Sequence, residues 1–385
     1  MNKILRILFV MYVPGSLRPR LCRFVVALLL GSFALCASTG SAHETDNFYL
    51  PLDVELADLG DFFGTVHTWA IEEAVAEVNA RIEQASAIKD PAARARRLAQ
   101  CHDPDAIASA VASRFGNAFT ETYTADRSLR GSWAERAYPG KKASHVGVKM
   151  NLVGHFPLDP RALIMLAQAD TVKAYGVYFG TDKLTHFHQL GWSYYKQYRS
   201  LQRQGMGKEE AYRQVLHSYA DTAFLAEKNV FGTIGTGVYS NGDMCVNHVG
   251  FKFFLNLTEK VVLKEQEREP LVVRCGRFWR VNHYVRPQSG WLGAFVSDHW
   301  NEALNPSLYD ATMRPGIRRV LHSRADHIVR FYTQKDGRPN DATYFVNLAR
   351  ELSTYYGENY GHSGQFEKLM NIGNTCFPVI HQHTP

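Results

Sequence analysis

Three segments of this 385-residue chain carry side chains able to do chemistry together: Gly180–His188 (GTDKLTHFH), the single Glu227, and Ser240–Asn247 (SNGDMCVN). Asp182 and His186 are four residues apart, as are Asp243 and Asn247. That spacing stacks each pair on one face of a helix. Glu227 extends the apolar stripe Leu216, Tyr219, Ala220 and Ala223 by four more residues. It therefore falls on a face expected to be buried, at a helix end whose dipole disfavours a carboxylate. Buried ionisable groups are costly unless something pairs with them. A histidine nitrogen with two or three carboxylate oxygens suits zinc, manganese or iron, and such an ion turns water into a nucleophile near neutral pH. Without a metal, His186 oriented by Asp182 would take a proton while a desolvated Glu227 gives one. The expected catalytic groups are His186, Glu227 and Asp243, with Asp182 and Asn247 orienting them. The candidate ligands of a divalent metal are Asp182, His186, Glu227 and Asp243. The same residues also suit a non-catalytic hydrogen-bond network that locks three helices, and helix capping alone would account for either aspartate taken singly.

The elements that must position these groups are helices. The pattern predicts one from Asp182 to about Gln204, closed by Gly205–Gly207, a second over Lys208–Glu227 and a third over Asp243–Leu257. His188 lies about 200° around the helix from His186, so the two cannot face one site. Further helices are predicted over Trp69–Ala85, Lys89–Ala99, from Pro104 to before Gly116, and over Arg161–Ala169, Trp291–Asn301, Arg314–Phe331 and Tyr344–Tyr355. A small β element is expected around 120–150 or 271–283. The fold class is mainly α, a multi-helix bundle with a minor β element. The loop Gly232–Gly237 lacks the lysine of a phosphate-binding loop and reads as a flexible turn. His299 and Glu302 read as a solvated helix end.

Residues 1–42 hold Lys3, Arg6, Arg18, Arg20 and Arg23, no acid, and an apolar run Phe24–Ala37 followed by small residues. This is the order of a secretory signal peptide, and the run is too short to span a bilayer. The leader accounts for five of the six net positive charges. The remainder is near neutral, which argues against nucleic-acid binding. Export leaves Cys101, Cys245, Cys275 and Cys376, an even number, as disulfide candidates. After the leader the chain divides into an N-terminal helical region (43–158), a central helical core with the polar groups (159–270) and a mixed C-terminal region (271–385). No membrane span is expected once the leader is removed.

The order Asp182-Lys183-Leu184-Thr185-His186-Phe187, then Glu227, then Asp243 with Asn247 resembles the YfiM-like family of small helical bacterial envelope proteins. The DKxxHF motif is also similar, more distantly, to VanZ-like proteins. The likeness covers about residues 175–260. It implies an envelope setting and a shared polar core and carries no reaction with it. The expectation is an exported envelope protein, periplasmic or secreted, that acts as a metal-assisted or acid–base hydrolase on an envelope component or small molecule. The alternatives are the helix-locking network and a lysozyme-like glycosidase using Glu227 and Asp243.

Overall fold

The computed structural model describes residues 54–115, 128–129, 131–145, 169–218, 238–311, 314–337, 339, 341–360 and 369–377. The leader, Glu227, the Gly232–Gly237 loop and the helix expected over Arg161–Ala169 therefore lie outside the described residues. No described helix is long and apolar enough to cross a membrane.

The described elements are mainly helical, with minor β structure in two-stranded antiparallel ribbons. Four helices come first: α1 (Gly60–Ser86), α2 (Pro91–His102), α3 (Pro104–Ala112) and α4 (Ser132–Ala137). Asp90 and Asp103 cap α2 and α3 through their carboxylates, each just before a proline at the first helical position. That combination is favourable because proline has no amide to leave unsatisfied there. A hairpin not foreseen in the sequence follows, β1 (Thr171–Ala174) and β2 (Val177–Gly180). Its turn uses positive φ at Tyr175 and Gly176, and Asp58 accepts both their amides.

Directly after β2 the chain enters one continuous helical stretch: α5 (Asp182–Thr185), a π-turn (His186–Leu190) and α6 (Gly191–Arg203). Then come α7 (Lys208–His217), β3 (Val238–Ser240) and α8 (Asn241–Asn256). Every residue of α8 is buried. The stretch 182–203 packs along α8, and glycines set the distance. A Cβ on Gly191 would lie 2.5 Å from the Gly250 carbonyl carbon, and one on Gly250 would run into the Phe187 carbonyl oxygen. Phe187, Phe251, Phe253 and Phe254 fill the space beside this crossing, each contributing on the order of 2 kcal/mol by burial.

The ribbons β4 (Val261–Leu263) with β5 (Gln266–Arg268) and β6 (Val272–Cys275) with β7 (Phe278–Val281) come next. The second is the β element expected at 271–283. The first occupies the charged break expected near 265–270, with Gln266 and Glu267 exposed and Arg268 half-buried. The helix expected over Trp291–Asn301 is instead two 3₁₀ turns, Trp291–Ala294 and Asp298–Trp300. β8 (Ser307–Tyr309) then returns to pair with β3. The end of the described chain is α9 (Arg314–Ser323), α10 (Ala325–Asp336), α11 (Ala342–Leu352) and α12 (Ile372–Thr375).

The expected disulfides do not form. Cys101, Cys245 and Cys376 are buried on separate elements, Cys275 is exposed on β6, and none is bonded to another.

Candidate metal centre

The tight crossing of the 182–203 stretch over α8 brings the two i, i+4 pairs face to face. Asp182 stands at the N-terminus of its helix, directly after β2. Asp243 stands in the first turn of α8, where Ser240 Oγ accepts its backbone amide at 3.1 Å as the N-cap. Both carboxylates sit where a helix dipole favours negative charge. The β3–β8 pairing joins Ser240 to Ser307. It thereby carries the preceding turn, with Glu302, to the mouth of α8.

Lys183 fills the centre and is fully enclosed. Its Nζ donates to Asp182 Oδ2 at 2.7 Å and to Glu302 Oε1 at 2.6 Å, and lies 2.5 Å from Asp243 Oδ1. The Asp243 contact is an ion pair outside hydrogen-bond geometry, so that oxygen still lacks a hydrogen-bond donor. His186 Nδ1 meets Asn247 Oδ1 at 2.9 Å, and its Nε2 faces Asp243 Oδ1 at 3.5 Å. With the amide oxygen as acceptor, Nδ1 carries the ring proton. Nε2 then faces the same carboxylate oxygen that the Lys183 ammonium approaches.

Charge is unevenly matched here. Asp182, Asp243 and Glu302 all share the Lys183 ammonium. The buried oxygens Asp182 Oδ1, Asp243 Oδ2 and Glu302 Oε2 have no hydrogen-bond partner among the described residues. Burial drives the Asp182 carboxyl above its ordinary range, opposed by Lys183, and Asp243 adds to the rise. Burial drives Glu302 well above its range. Burial would also raise Asp243, but His186 and Lys183 together hold it below its usual value. Burial works against the Lys183 charge, yet its three carboxylates keep it protonated well beyond the ordinary lysine range.

These residues fit a metal. Asp182, His186 and Asp243 each offer a ligand atom, and the three atoms lie within 4.8 Å of one another. One nitrogen and two carboxylate oxygens match zinc, manganese or iron. Lys183 faces one oxygen of each aspartate, which leaves Asp182 Oδ1 and Asp243 Oδ2 for a cation.

Of the expected set, the structure brings together Asp182, His186, Asp243 and Asn247. Glu227 lies outside the described residues. Two members were not anticipated. Lys183 belongs to the DKxxHF motif, and no role for it follows from the helical spacing. Glu302, expected on a solvated helix end, lies in the turn that follows the 3₁₀ segment Asp298–Trp300 and is buried against Lys183. His299 parts from it, facing Ser297 Oγ at 3.0 Å and the Thr354 carbonyl at 2.9 Å.

His188 leaves the site, as the angular spacing required. Its Nε2 meets His67 Nε2 of α1 at 2.8 Å, and Phe115 stacks on its ring at 3.7 Å between centroids. Both histidines lie in the π-turn His186–Leu190, and such turns recur at functional sites. Comparison with protein-family models, curated proteins and solved structures finds no match for this chain.

Proposed function

We propose that this chain is an exported cell-envelope protein that holds a divalent metal ion on Asp182, His186 and Asp243 and uses it to hydrolyse an envelope substrate. The observation that carries the reading is the three-ligand cluster with its spare buried oxygens. A divalent ion there would polarise a water or the substrate's electrophilic centre. Asn247 fixes the tautomer and direction of His186, the usual role of a partner to a ligating imidazole. Lys183 offsets part of the excess negative charge when the ion is absent. Glu227 keeps the proton-transfer role expected of it from the sequence. The resemblance of residues 175–260 to YfiM-like proteins supports the envelope setting, and the charge pattern of residues 1–42 supports export to the periplasm or beyond. On this reading the helices form a bundle whose interior is built around the site.

The second reading is a helix-locking network without catalysis. It is favoured by the complete enclosure of Lys183 and its ion pairs to two other segments, through Asp243 and Glu302, besides its own neighbour Asp182.

Metal analysis separates the two. Protein purified without chelators should carry a stoichiometric divalent ion, which Asp182→Asn and Asp243→Asn should lose while remaining folded. A metal-free wild type in which each variant loses several kcal/mol would establish the network instead.

A further inference from the structure

A second site lies at the other end of the described chain, independent of the metal reading. Helix α9 turns Ile317 and Leu321 into a core of their own with Ile328, Phe345 and Ile372. Its opposite face carries Pro315, Arg318, Arg319 and His322. Those positions follow i, i+3, i+4, i+7 and therefore form one continuous stripe. The stripe lines a groove of about 330 Å³ whose far wall is Asn374, Thr375 and Phe377. That volume is in the range of small-ligand pockets.

The groove's chemistry is one-sided. The α9 sequence RPGIRRVLHS contains no acid, and among the described residues no carboxylate lines the groove. Arg318, Arg319 and His322 are exposed, and among the described residues none of their side chains has an ion pair or hydrogen bond. The far wall is already fixed. Asn374 and Asn371 form a reciprocal capping box, and Asn374 Nδ2 donates to the Leu369 carbonyl. Thr375 Oγ1 donates to Asn374 Oδ1. The wall therefore gives shape, and the donors come from α9. Adjacent guanidinium groups without acidic partners match the planar oxygens of an oxyanion.

We propose that this groove binds a phosphate group, with Arg318 and Arg319 gripping its oxygens and His322 closing the third side. The phosphate is either a free anion or the headgroup of an anionic lipid.

Two measurements on the full chain test this and tell the sources apart. The first is calorimetric titration with inorganic phosphate. The second is co-flotation with vesicles of phosphatidylglycerol or of phosphatidylcholine alone. Each compares wild type with Arg318→Ala/Arg319→Ala and with Arg96→Ala/Arg97→Ala, exposed arginines of α2 that serve as a charge control. All positions are on the surface, and circular dichroism confirms folding. The expected result is a loss of roughly tenfold or more in affinity for the α9 variant and little change for the α2 variant. Binding of inorganic phosphate would assign a free anion, and binding only to phosphatidylglycerol vesicles a headgroup. Absence of binding to both probes, or equal loss in the two variants, would overturn the proposal.

Discussion

Two lysines are buried against α8, and they are not kept the same way. Lys252, on α8 itself, has one carboxylate. Glu358 Oε1 lies 2.5 Å from its Nζ, the Val262 carbonyl accepts from it at 2.9 Å, and Tyr355 presents its ring face at 5.4 Å. Glu358 is about one third exposed, so water shares the pair. Burial pulls the Lys252 ammonium below its ordinary range, and Glu358 only partly restores it. Lys183 has three enclosed carboxylates and is driven the other way. The first arrangement is balanced and fastens the 353–360 turn to α8. The second gathers three enclosed carboxylates around one ammonium and leaves an oxygen of each without a hydrogen-bond partner among the described residues. Under the proposed function those spare acceptors are what a second cation would use, so the number of partners around each lysine is the feature to test.

The largest expected effect breaks this comparison directly. Lys183→Met leaves three buried carboxylates facing one another, whereas Lys252→Met leaves one that water reaches. Removing one partner of an enclosed ion pair costs about 3–5 kcal/mol. Urea unfolding should show a loss of that order for Lys183→Met and a clearly smaller one for Lys252→Met. Added zinc or manganese should restore much of the Lys183→Met loss and do nothing for Lys252→Met. Equal losses, or no metal rescue, would make the two lysines equivalent.

The sequence carried the first half of this picture. The spacings of Asp182 with His186 and of Asp243 with Asn247, and the split of His186 from His188, are local helical geometry and were legible. So were α2 and α3, whose caps and prolines are written at their starts. Glu302 was not legible, because its place depends on the β3–β8 pairing, a contact between residues 238–240 and 307–309 that no local pattern announces. The same holds for the 3₁₀ turns at 291–300, where helical periodicity predicted a longer helix than tertiary packing allows. The cysteines misled for a related reason. An even count in an exported chain suggests pairing, but pairing is set by distance: Cys101 and Cys245 lie on different helices of one core, and Cys376 lies in another. The π-turn at His186–Leu190 has no sequence signal; it lies beside the close backbone approach that Gly191 and Gly250 permit.

The histidines extend the contrast from charged to neutral partners and give the next largest effect. His67 is pushed to about 3 by burial, with His188 adding to the shift, and His188 is pushed to about 3 by burial. Phe115, Phe187 and Phe253 pack around the two rings. Both folded values lie below the unfolded value, so the folded state favours the neutral rings. The stability this provides is complete above the unfolded value of about 6.5 and is lost as pH falls from there toward the folded value. At about pH 5 the loss amounts to about 2 kcal/mol per imidazole. His248 and His299, also lowered by burial, add to the slope. The quantity to read is therefore the difference between wild type and His67→Phe in urea unfolding over this interval. The variant should show a shallower pH dependence, and an unchanged slope would mean that the pair is not held neutral.

The smallest effect on stability is the sharpest on function. Asn247→Ala removes one hydrogen bond, to His186 Nδ1, and Tyr212→Phe removes a hydroxyl in the balanced region that meets His248 Nε2 at 2.5 Å and Glu358 Oε2 at 3.3 Å. Each should cost about 1 kcal/mol in unfolding. In metal affinity the two should diverge. Loss of the group that orients a ligating histidine typically weakens binding about 10–100-fold, whereas His248 belongs to no proposed ligand set. Competition with a coloured chelator should therefore show a weakened Asn247→Ala and an unaffected Tyr212→Phe. If both variants keep wild-type affinity, Asn247 is a structural partner of His186 and nothing more. If both lose it, the two faces of α8 are mechanically coupled, and the distinction between a balanced fastening and an unbalanced site would have to be redrawn around the helix as a whole.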